Sequence, residues 1–132
     1  MEKVVFDANA LLSYLYAEKN YKKIGQLLLK FQKNRTEMFI STVNFGEMHY
    51  SVLRNSGKEK AAALKTILES IPIEIVPVYT RDSEEAAEIK AYKRMSYADC
   101  YAAALAQRLA APIITGDPEF KEVEKEIRII WV

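Results

Sequence analysis

Four acidic residues, Asp7, Glu47, Asp99 and Asp117, have the type and placement to do chemistry together. Each follows an apolar stretch or lies near the start of a helical one. The chain has 18 acidic residues, yet only four are Asp, at positions 7, 82, 99 and 117, and three of those fall at a strand end or a helix start. Glu supplies most of the ordinary surface charge, so the short, stiff carboxylate is kept for particular places. Carboxylates scattered through a chain act together only when the fold gathers them, and such a gathering ordinarily holds a cation. Left unpaired, they repel and raise one another's pKa values. No Lys or Arg lies beside them in sequence to relieve this. An all-oxygen donor set suits Mg²⁺ or Mn²⁺ rather than Zn²⁺, and there is no Cys/His set to argue otherwise. Such an ion lowers the pKa of bound water and neutralises a phosphodiester in transit, which is the chemistry of phosphate-bond hydrolysis.

The elements that must position these acids alternate between strand and helix. Val4-Val5-Phe6 predicts a short buried strand, and residues 10–17 a helix. Asn20 is placed to cap a second helix through residue 34, with Ile24, Leu27, Leu28 and Phe31 on one face. Residues 38–41 predict the second strand and 42–55 a helix stopped by Gly57. Residues 58–70 predict a helix burying Ala62, Leu64, Ile67 and Leu68 in part. Residues 72–78 predict a strand whose prolines suit an edge.

Thr80 opens a helix with Asp82, Glu84 and Glu85 in its first turn, where the dipole favours negative charge. Ser96 opens an Ala-rich helix through residue 110. A strand over 112–115, a turn at Gly116, a short helix over 118–124 and a last strand over 127–132 complete the chain. This alternation predicts an α/β sheet that is mostly parallel.

In such a sheet, ligands bind beyond the carboxyl ends of the strands, and the returning helices start on that same edge. Asp7 and Asp117 lie just past strand ends, Asp99 is in a first helical turn, and Glu47 is one or two turns into its helix. All four are therefore expected on one rim. Each Asp also has a capping reading. Ser96-Tyr97-Ala98-Asp99 resembles a capping box, Asp117-Pro118 an N-cap followed by proline, and Asp7 can cap the helix after it. Glu47 lies too deep to cap, and its alternative is a solvated surface Glu.

The chain is expected to be one domain over residues 1–132, burying roughly two-thirds of its unfolded surface. Half of it is apolar and 28% charged, and a net charge of +1 excludes a global field that recruits nucleic acid. The one cysteine, Cys100, precludes an internal disulfide and fits a reducing compartment. The first residues read as a strand rather than a signal peptide, and no stretch approaches a membrane span, so a cytoplasmic location is expected.

The motifs together resemble a PIN domain. They are Asp7-Ala8-Asn9 after an apolar strand, Glu47 in the third helix, Ser96-Tyr97-Ala98-Asp99 opening an Ala-rich helix, and Thr115-Gly116-Asp117-Pro118-Glu119-Phe120. More narrowly the chain resembles VapC-type ribonuclease toxins of toxin–antitoxin pairs, over its whole length and in order. The resemblance implies a three-layer α/β/α fold with a mostly parallel sheet of four to five strands and about seven helices. It implies a metal-dependent endoribonuclease with Asp7, Glu47, Asp99 and Asp117 as catalytic, Mg²⁺- or Mn²⁺-binding acids. Asn9 would hold a metal-bound water or orient Asp7, and Thr115 would position a carboxylate or a water; a turn Asn and a strand-end Thr are the alternatives. A homodimer and a small VapB-like antitoxin are also implied, with Tyr14 and Tyr16 as candidate contacts.

Lys90, Lys93 and Arg94 precede Ser96 and can meet RNA phosphates, while Tyr97 can stack on a base; a solvated face is the alternative. Lys22, Lys23, Arg54, Lys58 and Lys60 are weaker candidates. Cys100 and His49 are the only pair for thiol catalysis, and they fall in different helices. A haloacid-dehalogenase-like phosphatase would need an Asp where Asn9 stands. A nuclease acting in RNA processing or on DNA and an inactive PIN-like binding module remain as alternatives.

Overall fold

Strand β1 (Lys3–Phe6) owes its place at the centre of the sheet to three consecutive apolar side chains. Val4 and Phe6 enter one core and Val5 the other, so both faces of the strand are dry. The computed structural model describes residues 2–132. Beside β1 it holds β2 (Glu37–Ser41), β3 (Ile73–Val76), β4 (Ile113–Thr115) and β5 (Ile129–Trp131) in the order β3-β2-β1-β4-β5. Every neighbouring pair is parallel, so the sheet is wholly rather than mostly parallel. β3, preceded by Pro72 and followed by Pro77, takes the edge its prolines suit.

Six α-helices cover the two faces: α1 (Ala8–Leu15), α2 (Tyr21–Lys33), α3 (Thr42–Ser56), α4 (Lys58–Ser70), α5 (Thr80–Tyr92) and α6 (Tyr97–Leu109). A 3₁₀ turn (Pro118–Val123) takes the place of the expected short helix. On one face α1 to α4 pack Leu11, Ile24, Met48 and Leu68 against Phe6, Ile40 and Ile114. On the other, α6 packs with Met95, Phe120 and Ile127 against Val5 and Ile113. The result is the expected three-layer α/β/α sandwich. Burying each such large apolar side chain contributes roughly 1.5–3 kcal/mol before entropy is counted.

Local details differ from expectation for physical reasons. Asn20 does precede α2, but with φ 72° in the left-handed region and no side-chain cap bond; Asn tolerates that conformation. α4 buries Ala61, Leu64 and Leu68, while Ala62 faces solvent and Ile67 stays 38% exposed. The stripe at three- and four-residue steps starts one residue earlier than expected, and Ile67 falls to its border. Gly57, at φ 90°, ends α3 and starts α4, a conformation that Cβ-bearing residues rarely adopt. α6 is buried without a break from Asp99 to Ala106, and its alanines let it lie close against α5 and the sheet.

Asp82 stands in the first turn of α5 as expected, and is only 4% exposed. One of its oxygens accepts the Tyr79 amide at 2.7 Å, and the other is paired with the Arg108 guanidinium. A buried carboxylate needs such partners, and this pair locks α5 to α6. Arg108→Met is therefore expected to lower unfolding free energy by about 3 kcal/mol in a urea titration, while the Asp82→Leu/Arg108→Met double variant loses less than that single change.

Candidate functional site

The strand order reverses direction between β1 and β4. From β1 the chain steps outward to β2 and β3, then returns to the far side of β1 for β4 and β5. A parallel sheet opens a crevice at such a switch, beyond the carboxyl ends of its strands. Asp7 follows β1 directly, its amide donating to the Ile114 carbonyl at 3.2 Å, and Asp117 lies two residues past β4. The sheet alone thus places these two acids side by side. α3 and α6 start on the same edge and bring Glu47 and Asp99.

The four acids line one open cleft of about 410 Å³, with Glu119 beside them. Carboxylate oxygens of Asp7, Glu47 and Asp99 lie within 4.8 Å of one another, as do those of Asp99, Asp117 and Glu119. Asp99 belongs to both groups. Asp7 and Asp99 are 2% and 5% exposed. Among the described residues, none of the ion pairs involves any of these five acids. A larger groove of about 810 Å³ lies at the amino ends of β2 and β3, among Gln32, Met38, Phe39 and Pro72, away from this gathering of acids. Size does not select the site; the gathering of like charge does.

Neutral donors hold the acids in place. The Thr115 hydroxyl accepts the Asp117 amide at 3.0 Å and donates to Asp7 Oδ2 at 2.9 Å, tying the acids after β1 and β4 through one atom. Asn44, fully buried on α3, donates from Nδ2 to Glu47 Oε1 at 2.9 Å and to the Ala98 carbonyl at 3.1 Å, so Glu47 is fixed to the residue before Asp99. Asn44 Oδ1 is buried with no partner among the described residues. Capping accounts for less than expected. Asp7 stands at the N-cap of α1 without a side-chain cap bond. Asp117 does cap, accepting the Glu119 amide at 2.9 Å. At α6, Ser96 accepts the Asp99 amide at 3.2 Å, but the reciprocal bond to the Ser96 amide comes from Glu119 at 2.5 Å. Glu119 completes the box, which leaves the Asp99 carboxylate to the cleft.

Burial and crowding fix the electrostatics. Asp7 is pushed up to about 8, first by burial, then by Asp99, with the Thr115 bond pulling back and Glu47 and Asp117 adding to the rise. Asp99 is pushed up to about 7, again first by burial and then by Asp117. The oxygen-only donor set, its packing and the absence of any ion pair to these acids among the described residues fit a divalent cation, which Asp7, Glu47 and Asp99 could hold with Asp117 adjoining.

The other candidates are placed differently. Asn9 lines the cleft, and its Oδ1 would lie 3.3 Å from a Cβ added to Gly116, which the Val132 carbonyl would meet at 2.9 Å, so only Gly fits that turn. Lys90, Lys93, Arg94 and Tyr97 do not line the cleft. The Lys90 ammonium donates to the Met95 carbonyl at 2.8 Å and Lys93 pairs with Glu126 at 3.0 Å. Tyr97 packs edge-on against Tyr101 at 5.0 Å. Cys100 is fully buried and burial pushes its thiol up, which removes it as a nucleophile.

The PIN domain family model matches residues 4–126. The chain belongs to the PIN domain family. Its fold is similar to several solved structures. One is VapBC2 from Rickettsia felis bound to a fragment of promoter DNA, at TM-score 0.74 and 19% identity over 98% of each chain. Another is VapC20 of Mycobacterium tuberculosis, described as a sarcin–ricin-loop-cleaving toxin, at TM-score 0.71 and 15% identity over 89% of this chain and 92% of that one. A third is FitAcB from Neisseria gonorrhoeae, at TM-score 0.72 and 21% identity over 96% of each chain. No curated protein matches the chain in sequence.

Glu119, which lines this PIN domain's cleft, and Asn44, buried against Glu47, escaped the sequence reading as site residues. Glu119 stands two positions after Asp117, and Asn44 three before Glu47, a spacing that puts two side chains on one helical face. Asn44→Leu keeps the volume and removes the amide, and is expected to weaken Mn²⁺ binding about tenfold by calorimetry.

A carboxyl whose folded pKa is raised makes the folded state bind more protons than the unfolded chain between about 4 and the raised value. The stability contributed by Asp7 and Asp99 is thus fully present below about 4 and lost as pH rises through about 7 to 8. Melts in EDTA are expected to fall in Tm over that range. Asp7→Asn raises the Tm at high pH, and Mn²⁺ flattens the wild-type profile.

Proposed function

We propose that this PIN domain is a metal-dependent endoribonuclease, the toxin of a VapBC-type pair, acting in the cytoplasm as a homodimer restrained by a small VapB-like antitoxin. The observation that carries the reading is the convergence of Asp7, Glu47, Asp99 and Asp117 in one cleft, with none of them in an ion pair among the described residues. Membership of the PIN family and similarity to a toxin named for cleaving the sarcin–ricin loop support RNA as substrate. Similarity to VapBC complexes supports the antitoxin.

Mg²⁺ or Mn²⁺ bound at these acids supplies an acidified water and charge neutralisation for the phosphodiester. The chain's own residues do the positioning. Thr115 holds Asp7 and Asp117 in register, and Asn44 aims Glu47. Glu119 keeps the start of α6 closed, so Asp99 faces the same volume. Asn9, exposed at the cleft edge, is placed to orient a water or the substrate. Tyr97, 45% exposed, offers a face for a base beyond the cleft. For the antitoxin, Tyr16 just past α1 and Tyr50 and Leu53 on α3 present apolar surface, whereas the Tyr14 ring is turned onto Gly25 of α2.

With Mg²⁺ or Mn²⁺, the purified chain is expected to cut a mixed pool of tRNA, rRNA and mRNA. Asp7→Asn and Asp99→Asn should each lower the rate about a hundredfold or more, the size of loss typical for one preorganised electrostatic group. An intact pool would refute the nuclease reading for those substrates. Undiminished cleavage by both variants would refute the site.

A further inference from the structure

The acid cleft has a basic end. Arg54 is the one Lys or Arg among its lining residues. It lies on α3 seven residues after Glu47, with Tyr50 and Ser51 between them, so one helical stripe runs from the acids to a cation. At 1.5 Å per residue that stripe is ~10.5 Å long. The Arg54 guanidinium lies over the Tyr50 ring, 5.7 Å from its centre, and the ring restricts the fork without neutralising it. Among the described residues no carboxylate lies within ion-pair distance of Arg54, although Arg81, Lys93 and Arg108 each have one. The other basic residues suggested for nucleic acid by sequence lie off the cleft, and three of them, Lys23, Lys90 and Lys93, donate to protein oxygens.

We propose that Arg54, seated on Tyr50, is a phosphate-binding subsite of the cleft that grips a phosphate neighbouring the scissile one on a single nucleic-acid strand. The inference rests on the nuclease reading and deepens it. Two helical turns from Glu47 is too far for the reacting phosphate to bridge, and right for an adjoining one on the same strand. An acid-rich cleft repels a polyanion, so a fixed guanidinium at its mouth gives the strand both an entry and a register. Its planar fork matches phosphate oxygens two at a time. Arg54 also lies in the last turn of α3, where any cation favours the helix dipole. That role would show in thermal melts and be filled equally by Lys, and it would not appear in the salt dependence of binding.

The test is fluorescence anisotropy of a fluorescein-labelled single-stranded RNA dodecamer in Ca²⁺, titrated from about 50 to about 200 mM salt. Arg54→Ala should weaken binding and lower the slope of log affinity against log salt by about 0.7, the value for one phosphate contact on a single strand. Arg54→Lys should keep most of that slope, and Tyr50→Leu should weaken binding without abolishing it. Melts of all three should match the wild type. A slope unchanged in Arg54→Ala overturns the subsite. If the wild type binds this RNA but Mg²⁺ and Mn²⁺ elicit no cleavage, the nuclease reading falls, while the slope still decides whether Arg54 contacts a phosphate.

Discussion

The arrangement depends on keeping several carboxylates close together in a partly dry crevice without letting them disperse. Repulsion at such distances pushes side chains toward solvent or toward protonation, and the structure blocks the first route. The carboxylates sit on different elements, and those elements are locked by two cores on opposite faces of a five-stranded parallel sheet. The fixing contacts are uncharged: a hydroxyl from Thr115, an amide from Asn44, backbone N–H groups at helix starts. Dipoles orient a carboxylate without cancelling it. Had lysines or arginines done the same work, the cleft would have been neutral and of no use to a cation.

The two cores divide this labour. On the α1–α4 face, large side chains such as Phe6, Leu11 and Met48 fill the space and set where α3, and so Glu47, can lie. On the other face α6 contributes mostly small side chains, Cys100 and its alanines, so its backbone approaches the sheet closely and its first turn sits near the ends of β1 and β4. The Asp82–Arg108 pair fastens α5 to the outside of that helix. Glu47 and Asp99 therefore meet because two packing regimes, one bulky and one small, bring their helices to the same edge. Asn44, which bonds both Glu47 and the carbonyl before Asp99, joins them.

Much of this was legible in the sequence because the information is local. Apolar runs of three or four residues marked the strands, and Asp or Ser beside them marked the helix starts. The parallel sheet followed from alternation, and the rim followed from the sheet. What stayed hidden depends on partners far apart in the chain. Asp82 was legible as a first-turn charge, but its partner Arg108 is a helix away and the pair could not be read. The Asp99 carboxylate looked like half of a capping box because its substitute, Glu119, arrives from beyond β4. Lys90 and Lys93 looked available for phosphates, and their acceptors, the Met95 carbonyl and Glu126, have no signature that a pattern of spacing reveals. The start of the α4 stripe slipped by a residue because alanines fill that helix on both sides of the true face.

The 3₁₀ turn after β4 sets the order in which the cleft comes into being. Asp7 and Glu47 leave a ribosome early, but the start of α6 is closed only when Glu119 arrives, and Thr115 must be in place before Asp7 has its hydroxyl. A chain interrupted before residue 115 holds three of its carboxylates and lacks the contacts that aim two of them. For most of translation the growing polypeptide therefore carries the makings of the cleft in an unassembled form, and assembly waits on one short late segment.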